Sequence, residues 1–340
     1  MRKNITIKDV ARETGVHVST VSRALSKNAS SSLSEVVVEK IRAKADQMGY
    51  RPNLVALGLR TKKTMSIGVI IPDIGNAVFP PIVRGVESIL EPAGYASILV
   101  NTDNDPSKEK KFIQVLMERG VDGIIDAAIT AHDHSVVGYS TEIPIVTANR
   151  MAIGSGIPSV VNDDKGGIHS MVKLLIKAGH NRIGHLAGPE HSYTGIARQD
   201  AFFNSMSQHG IKPNKSAVVS AAAYSEEAGK AATEKILDGC QSITAILCAN
   251  DRLAIGAIDA LQDRGLKCPE DISLTGFNDI PFLERIPPGL TTVKILQFDV
   301  GRIAAEILIK KMKETNIPVP ETTIMPVTVV ERGSVCPPKN

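Results

Sequence analysis

The first fifty residues place apolar side chains with the period of an α-helix. Val10 and Ala11 fall on one face of a short block, and Val21 and Ala24 fall on one face of a second block. Gly15 lies between the two blocks, where glycine ends a helix cheaply because it accepts a left-handed conformation. A third and longer block follows. The pattern therefore predicts two short helices joined by a tight turn, and then a third helix.

The exposed face predicted for the second helix is crowded with small hydroxyl side chains. Ser19, Ser22 and Ser26 lie on this face together with one arginine, Arg23. Small side chains let a helix approach a partner closely, and hydroxyls can bond to phosphate oxygens. The guanidinium of an arginine in this place can donate hydrogen bonds to both O6 and N7 of a guanine. The arrangement predicts a helix-turn-helix that enters the major groove of DNA. The alternative is an ordinary three-helix bundle with a serine-rich surface.

Beyond residue 65, apolar runs of strand length alternate with blocks of helical period. Runs such as SIGVIIPD and ASILVNTD are rich in valine, isoleucine and leucine, which is typical of parallel strands buried on both faces. The number of runs indicates two α/β units with a cleft between them rather than one unit. The predicted fold class is therefore α/β, with an all-α helix-turn-helix head and a two-lobed body of parallel sheets.

Polar residues follow several of the predicted strands directly. Ligands of open α/β sheets bind beyond the carboxyl ends of the strands. Residues in such positions are therefore candidates for ligand contact, and they are Asp73, Asn149, Asn250 and Asn278.

Charge is distributed unevenly along the 340 residues. The net charge is +3, but residues 1–63 hold 13 lysines and arginines against 5 aspartates and glutamates. A small basic head on an acidic body suggests a polyanionic partner for the head, such as nucleic acid. A solvated basic surface without a partner is the alternative.

Composition excludes several classes of protein. The content of 43% hydrophobic and 22% charged residues is typical of a soluble globular protein. No stretch approaches the roughly 18 apolar residues of a membrane span, and the N-terminus lacks the apolar region of a secretory signal. The four cysteines show no paired spacing, which indicates reduced thiols in a cytoplasmic protein. Motifs for nucleotides, metals or nucleophilic catalysis are missing, so we expect no cofactor and no enzymatic activity.

The stretch TIKDVARETGVHVSTVSRALS, followed later by GYRPN, resembles the lactose-repressor/galactose-repressor (LacI/GalR) family of bacterial transcription regulators. The likeness covers essentially the whole chain. It implies a homodimeric repressor that binds a pseudo-palindromic operator in double-stranded DNA, with a small-molecule effector controlling its affinity. Two other classes stay open: a solute-binding protein without a DNA role, and an α/β enzyme with an appended basic head.

The resemblance also implies a division of the chain. Residues 1–50 would form the helix-turn-helix domain, 51–63 a hinge helix or linker, and 64–340 the effector-binding and dimerisation body. The body is similar to type I periplasmic binding proteins, whose two lobes are crossed by several chain passages. The implied lobes are about 64–161 with 293–323, and about 162–292 with 324–340.

The family pattern assigns DNA contact to residues of the head and hinge. Val18, Ser19 and Arg23 match the principal base-reading positions, and Leu59 matches a leucine that wedges into the minor groove. The full implied set is Thr6, His17, Val18, Ser19, Thr20, Ser22, Arg23, Ser26, Ser34, Asn53, Ala56 and Leu59.

The resemblance also assigns effector contact to residues of the body. The implied set is Asp73, Val78, Phe79, Asn149, Arg150, Ser192, Thr194, Arg198, Tyr224, Asn250 and Asn278. Relatives that bind neutral sugars often have aspartate where this chain has Asn149 and Asn278. Because arginine grips carboxylates and phosphates with a planar fork, we hypothesise an anionic effector such as a sugar acid, another organic acid or a phosphorylated sugar. The alternative is that Arg150 points to solvent and Arg198 serves a neutral polyol.

Overall fold

The computed structural model describes residues 5–25, 33–51, 63–132, 135–240, 242–313 and 318–339. The chain divides into two compact units, Met1–Thr64 and Met65–Asn340. We call them the head and the body.

Three helices pack together in the head: α1 (Ile7–Thr14), α2 (Val18–Ala24) and α3 (Glu35–Met48). Gly15 follows α1 in a left-handed conformation with φ +70°, as the sequence predicted. Ser34 occupies the N-cap position of α3 without a side-chain capping bond to any described residue, and the helix ends at Gly49, which also has a positive φ. The inward side chains form one aliphatic core, made by Val10, Ala11, Val21, Ala24, Val38, Ile41 and Ala45.

The body alternates strands and helices along the chain. The first series is β1 (Ser66–Ile71), α4 (Phe79–Leu90), β2 (Ala96–Asn101), α5 (Pro106–Glu118), β3 (Gly123–Asp126), α6 (Ser135–Ser140), β4 (Ile145–Ala148) and β5 (Ser159–Asn162). The second is α7 (Asp164–Lys177), β6 (Ile183–Ala187), α8 (Tyr193–Gln208), β7 (Val218–Ser220), α9 (Glu226–Gly239), β8 (Ala245–Cys248), α10 (Asp251–Asp263) and β9 (Ser273–Thr275). The last is β10 (Thr292–Lys294), α11 (Gln297–Lys313), β11 (Thr322–Met325) and β12 (Thr328–Val330).

These strands form two parallel sheets, which confirms the predicted α/β class. The first sheet has the order β11-β5-β4-β3-β1-β2, and the second has the order β7-β6-β8-β9. A short antiparallel pair, β10 with β12, forms a third sheet. The first lobe contains the six-stranded sheet, and the second lobe contains the four-stranded sheet. The chain therefore passes between the lobes after β5, after β10 and after β11.

Two glycines allow helices α4 and α11 of the first lobe to touch through their backbones. A Cβ atom added at Gly301 would lie 1.9 Å from the carbonyl oxygen of Ile82, and one added at Gly85 would lie 1.9 Å from that of Phe298. No larger residue fits at either position without moving a helix. Among the described helices of both units, none is long and apolar enough to cross a membrane.

Candidate functional site

The turn between α1 and α2 presents the start of the second helix to solvent. His17 caps α2, because its Nδ1 accepts a bond from the backbone N–H of Ser19 at 3.2 Å. The Ser19 hydroxyl lies 2.8 Å from the same nitrogen. This contact holds the imidazole and the hydroxyl together over the first turn of α2. Both residues are exposed, so they form a polar edge at the amino end of the helix.

Arg23 extends from the same exposed face of α2. Its Nε donates to the carbonyl oxygen of Ser19 over 3.4 Å, while Nη1 and Nη2 have no partner among the described residues. The guanidinium fork is therefore available to a ligand. Val18, the first residue of α2, is half-buried against the head core. Thr20 and Ser22 are also half-buried, so the most exposed predicted contacts on α2 are Ser19 and Arg23.

Two other predicted contacts lie at helix starts. Thr6 caps α1, but its backbone N–H and its hydroxyl both donate to Asp9 Oδ2, at 2.9 and 2.7 Å. The Thr6 hydroxyl bond lowers the pKa of Asp9, which keeps that carboxylate charged. A phosphate would have to compete with Asp9 for the Thr6 donors. Ser34 is exposed at the start of α3. The predicted contacts Ser26, Asn53, Ala56 and Leu59 lie outside the described residues.

In the body, polar residues gather at the carboxyl ends of the strands, as the sequence predicted. Asn149 and Asn278 have positive φ angles of 64° and 119°, and both are almost completely buried. Asparagine tolerates positive φ better than most side chains. Their backbone N–H groups bond to Val160 and Val293 on neighbouring strands. Both side chains are therefore positioned by the sheets rather than by loose loops.

Arg198 forms a buried ion pair inside the second lobe. Its Nε lies 2.7 Å from Asp164 Oδ1, and its Nη1 donates to the carbonyl oxygen of Ala249 at 2.7 Å. The guanidinium stacks on Phe277, with 3.7 Å from Cζ to the ring centroid. Among the described residues, Nη2 alone of its nitrogens has no partner. Arg198 therefore offers one rigid donor, and its charge is already balanced by Asp164.

Arg150 is the other buried arginine, and it follows β4 in the first lobe. It is 5% exposed. Nη1 donates to the carbonyl oxygen of Ala128 at 3.2 Å and Nη2 to Asn104 Oδ1 at 3.1 Å, whereas Nε has no partner. In the part of the chain that the structure describes, no carboxylate forms a direct ion pair with this guanidinium. It is a buried cation held by neutral acceptors.

Groups of both lobes influence the pKa of Arg150. Burial lowers this pKa, the charges of Tyr224, Glu109 and Asp126 raise it, and the positive charge of Arg198 lowers it. Burial likewise lowers the pKa of His191, with a contribution from the charge of Arg150. Burial raises the pKa of Asp126, at the end of β3, to about 6. Arg150 is therefore a buried cation that interacts electrostatically with groups of both lobes.

Two side-chain amides that follow strands of the body have fixed orientations. Asn149 Oδ1 accepts a bond from Asn162 Nδ2 at 3.0 Å. Asn250 caps α10, because its Oδ1 accepts from the backbone N–H of Leu253 at 2.9 Å. The Nδ2 atoms of Asn149 and Asn250 have no partner among the residues described. The Asn278 side chain forms no such bond within the same ranges, although its carbonyl oxygen accepts from Gln297 at 2.8 Å.

Three predicted hydroxyl residues form a chain in the second lobe. Ser192 Oγ lies 3.1 Å from Thr194 Oγ1, which lies 2.9 Å from the Tyr224 hydroxyl. Val78 and Phe79 are each 2% exposed at the start of α4 and belong to the first-lobe core. They can act as an apolar wall for a ligand, and the hydroxyl chain can donate or accept bonds.

Asp73 connects the lobes instead of standing open. Its Oδ2 lies 3.0 Å from Arg252 Nη1, and the rest of that guanidinium binds both carboxylate oxygens of Glu226, at 2.9 and 2.7 Å. On the other side of the cleft, the backbone N–H of Ala131 donates to the carbonyl oxygen of His191 at 3.1 Å. These contacts hold the lobes together at two places.

Sequence reasoning missed several residues that shape the cleft. Asp164, Asn162 and Arg252 act through partners that are distant along the chain, by 34, 13 and 179 residues. The position of Asn162 at the end of a predicted strand was the available signal. Asp164 and Arg252 lie at the starts of helices, and no sequence signal indicated their roles.

Comparison with known proteins agrees with the architecture of both units. Residues 6–53 match the family model of bacterial regulatory proteins, lacI family, and residues 172–335 match that of the periplasmic binding protein-like domain. Catabolite control protein A of Priestia megaterium is 33% identical over 316 residues, which cover 92% of this chain and 94% of that protein. The HTH-type transcriptional repressor PurR of Vibrio atlanticus is 30% identical over 313 residues, 92% of this chain and 93% of that protein.

A solved structure supports the same assignment. The lac repressor dimer bound to operator and the anti-inducer ONPF is similar with a TM-score of 0.87 and 26% identity, over 98% of this chain and 100% of that chain. The head with its exposed α2, the two parallel sheets and the near-complete coverage of the relatives lead to one conclusion. The chain belongs to the lacI family of bacterial regulatory proteins and is a DNA-binding transcription regulator.

Proposed function

We propose that this regulator is a repressor controlled by a small-molecule effector that binds between the two lobes. The strand-end residues of both lobes support this site, because each lobe contributes a buried arginine, Arg150 and Arg198, and the charge of Arg198 contributes to lowering the pKa of Arg150. The relatives include a repressor, PurR, and they are transcription regulators rather than enzymes. An effector that favours one arrangement of the lobes would change operator affinity by a coupling of about 1–3 kcal/mol.

The effector carries an anionic group in this proposal, and Arg150 is the observation that carries it. Burying a charge without a directly paired counter-ion is costly. Arg150 is 5% exposed and donates only to neutral acceptors among the described residues, while the charges of Glu109 and Asp126 act on it without a direct ion pair. A carboxylate or phosphate in the cleft would balance this charge. The asparagines at 149 and 278 fit the same ligand, because they add no negative charge.

A neutral polyol is the second candidate, and one observation favours it. Asp164 already neutralises Arg198 at 2.7 Å, so that arginine would contact a sugar hydroxyl without attracting an anion. The two candidates differ in the role that they give to Arg150.

The proposed effector contacts are those assigned from the sequence, with one change of role. Asp73 would act on lobe closure through Arg252 rather than on the ligand directly, because its carboxylate is engaged across the cleft. The proposed lobes are 64–161 with 293–323 and 162–292 with 324–340. The pairing of β11 with β5 and of β12 with β10 supports this division but moves its limits by about two residues, because Val293 and Lys294 pair with β12 and Ile324 and Met325 pair with β5.

We further propose that the body forms a homodimer. The strand β2 lies at the edge of the first sheet, with Leu99 40% exposed. In the second lobe Phe282 is 65% exposed and is held at φ +74°. Exposed apolar side chains on an edge strand and a strained loop favour association with a second copy. Two copies would present two heads to a pseudo-palindromic operator.

The experiment that tests this function is a gel-shift assay of the intact protein with genomic fragments in rising salt. A regulator of this kind should select particular fragments, and its affinity should fall steeply with salt. Small carboxylates, sugar phosphates and neutral sugars are then added separately. Selection that no compound alters would contradict effector control, and binding without selection would contradict operator recognition.

A further inference from the structure

The orientation of the Asn149 amide is set by a second asparagine that lies behind it. Asn162 is the last residue of β5, the strand next to β4, and it is 2% exposed. Its Nδ2 donates to Asn149 Oδ1 at 3.0 Å. The carbonyl end of Asn149 therefore points toward the protein, and its NH₂ end is left for the cleft.

The opposite orientation of the pair is less favourable. If both amides were turned, Asn149 Nδ2 would donate to Asn162 Oδ1, and the NH₂ of Asn162 would occupy the place of its present oxygen. That oxygen is buried without a hydrogen-bond partner. A buried NH₂ without acceptors is rarer in folded proteins than an under-satisfied carbonyl oxygen. The hydrogen-bond network thus selects the orientation in which Asn149 is a donor.

Two residues of the second lobe also keep free donors within the described ranges. Asn250 must use its oxygen to cap α10, because the first turn of a helix offers only N–H groups. Its Nδ2 is therefore also a donor, and so is Arg198 Nη2, the remaining nitrogen of that guanidinium. Asn149, Asn250 and Arg198 thus each keep a donor without a partner among the described residues, and the side-chain oxygens of the two asparagines are already engaged.

We propose that Asn162 is a positioning residue that fixes Asn149 as a hydrogen-bond donor, so that the cleft recognises a carboxylate or phosphate oxygen of the effector. This inference rests on the proposed function, because it requires the effector to bind in the cleft. Such donors form stronger hydrogen bonds to the charged oxygens of an anion than to a neutral hydroxyl oxygen. In this proposal, the positive charge of Arg150 and the N–H donors of Asn149 act on the same anionic group of the effector.

The test is calorimetry of the intact protein with matched ligands that differ in the anionic group. The probes are D-glucose, D-gluconate and D-glucose 6-phosphate, together with D-ribose and D-ribose 5-phosphate. We expect at least one anion to bind about tenfold or more tightly than its neutral partner. Comparison of D-gluconate with the two sugar phosphates identifies whether a carboxylate or a phosphate is the anionic group that the cleft prefers. A neutral sugar that binds as tightly as its acid would overturn the proposal.

Variants separate positioning from simple charge. Asn162→Asp offers only acceptors, so it should turn the NH₂ of Asn149 inward and weaken the anion about tenfold or more. Asn214→Asp adds the same charge before β7, at an exposed position, and controls for net charge only, so the local charge of Asn162→Asp is separated from positioning by the uncharged alanine variants. Asn162→Ala should weaken the anion several-fold in the natural background and have no effect when Asn149 is alanine. Circular dichroism and operator binding report whether each variant folds.

Two failures are distinguishable. If no probe binds the natural protein, the effector assignment and this inference fall together. If an anion binds and the Asn162 variants bind it equally well, or if their effect persists without Asn149, only the positioning role falls.

Discussion

Arg252 Nη1 lies 3.0 Å from Asp73 Oδ2, and this ion pair joins the two lobes of the body. The same guanidinium binds Glu226 of its own lobe. Asp73 comes from the loop after β1, and Arg252 from the first turn of α10 beside Asn250. A residue expected to touch the ligand is thereby connected to a residue that helps to close the cleft.

The first prediction concerns this pair. Arg252→Gln should shift the body toward open forms, because it removes the charge that bridges Asp73 and Glu226. Partly exposed pairs contribute about 1 kcal/mol or less, so the shift should be modest. Small-angle scattering of the intact protein should report a larger radius of gyration. Arg302→Gln removes a comparable pair within the single helix α11 and should leave the radius unchanged. Equal radii for both variants would show that the pair does not hold the lobes.

The second prediction concerns Arg150. Arg150→Met keeps the length of the side chain and removes its charge. Binding of an anionic effector should weaken by about 2 kcal/mol or more, because hydrogen bonds to charged groups contribute about 1.5–3 kcal/mol. Binding of a neutral sugar should not change. Calorimetry with the matched ligands measures both, and Arg182→Met, whose Nε bonds to Ser242 away from the cleft, serves as the control. An anion that binds the Arg150 variant normally would favour the neutral-polyol alternative.

The third prediction concerns Arg23. Arg23→Ala should cost about 1–3 kcal/mol of operator binding and relax specificity at one base pair. The reason is the open guanidinium fork on the exposed face of α2. Lys40→Ala removes the same charge from α3, so it should alter salt dependence without altering sequence preference. Gel shifts against operators changed one base pair at a time distinguish these effects. An unchanged preference would remove Arg23 from base reading.

The sequence predicted the features that depend on neighbours in the chain. Gly15 and the helical periods of the head are local, and the apolar runs of the body are continuous, so the fold class followed from them. The strand-end positions of Asn149 and Asn278 followed from the same runs. The environment of these residues did not follow, because it depends on distant partners. Asp164 neutralises Arg198 from 34 residues away, and this pairing changes the ligand that Arg198 favours.

The fourth prediction concerns pH. His185 is completely buried and stacks on Phe202, with 4.6 Å between ring centroids. Its Nδ1–H donates to the carbonyl oxygen of Leu247 at 2.8 Å, and Nε2 has no partner among the described residues. Burial therefore lowers the pKa of His185 from 6.5 to about 4.

The sign of the effect follows from that shift. Between pH 6.5 and 4 the unfolded chain binds the proton that the folded chain excludes. The stability that the neutral ring contributes is complete above pH 6.5 and is lost as pH falls toward 4, by about 3 kcal/mol. Burial raises the pKa values of Asp126 and Asp251 to about 6. These carboxyls bind protons more tightly in the folded chain, so they add stability as the pH falls and oppose the effect of His185. Comparison with His185→Phe isolates the histidine: thermal unfolding of the variant should depend less on acid. If the stabilities of the natural protein and the His185→Phe variant fell equally with pH, the acid dependence would not come from His185.

The fifth prediction concerns the contact between α4 and α11. Gly301→Ala should destabilise the body by about 1–3 kcal/mol or more, because the added methyl group would overlap the backbone oxygen of Ile82. Gly138→Ala is the matched control, since a Cβ there meets nothing within 4 Å in the exposed part of α6. Denaturant unfolding of both variants measures the difference. A Gly301 variant as stable as the Gly138 variant would show that the two helices separate easily.

The three passages of the chain between the lobes have a mechanical consequence. A single connection would allow the lobes to rotate relative to each other in any direction. Three connections restrict the lobes to a narrow set of rotations. The head precedes the first lobe in the chain: the head ends at Thr64, and β1 begins at Ser66. Under the proposed effector control, a rotation of one lobe against the other would therefore follow only a few directions.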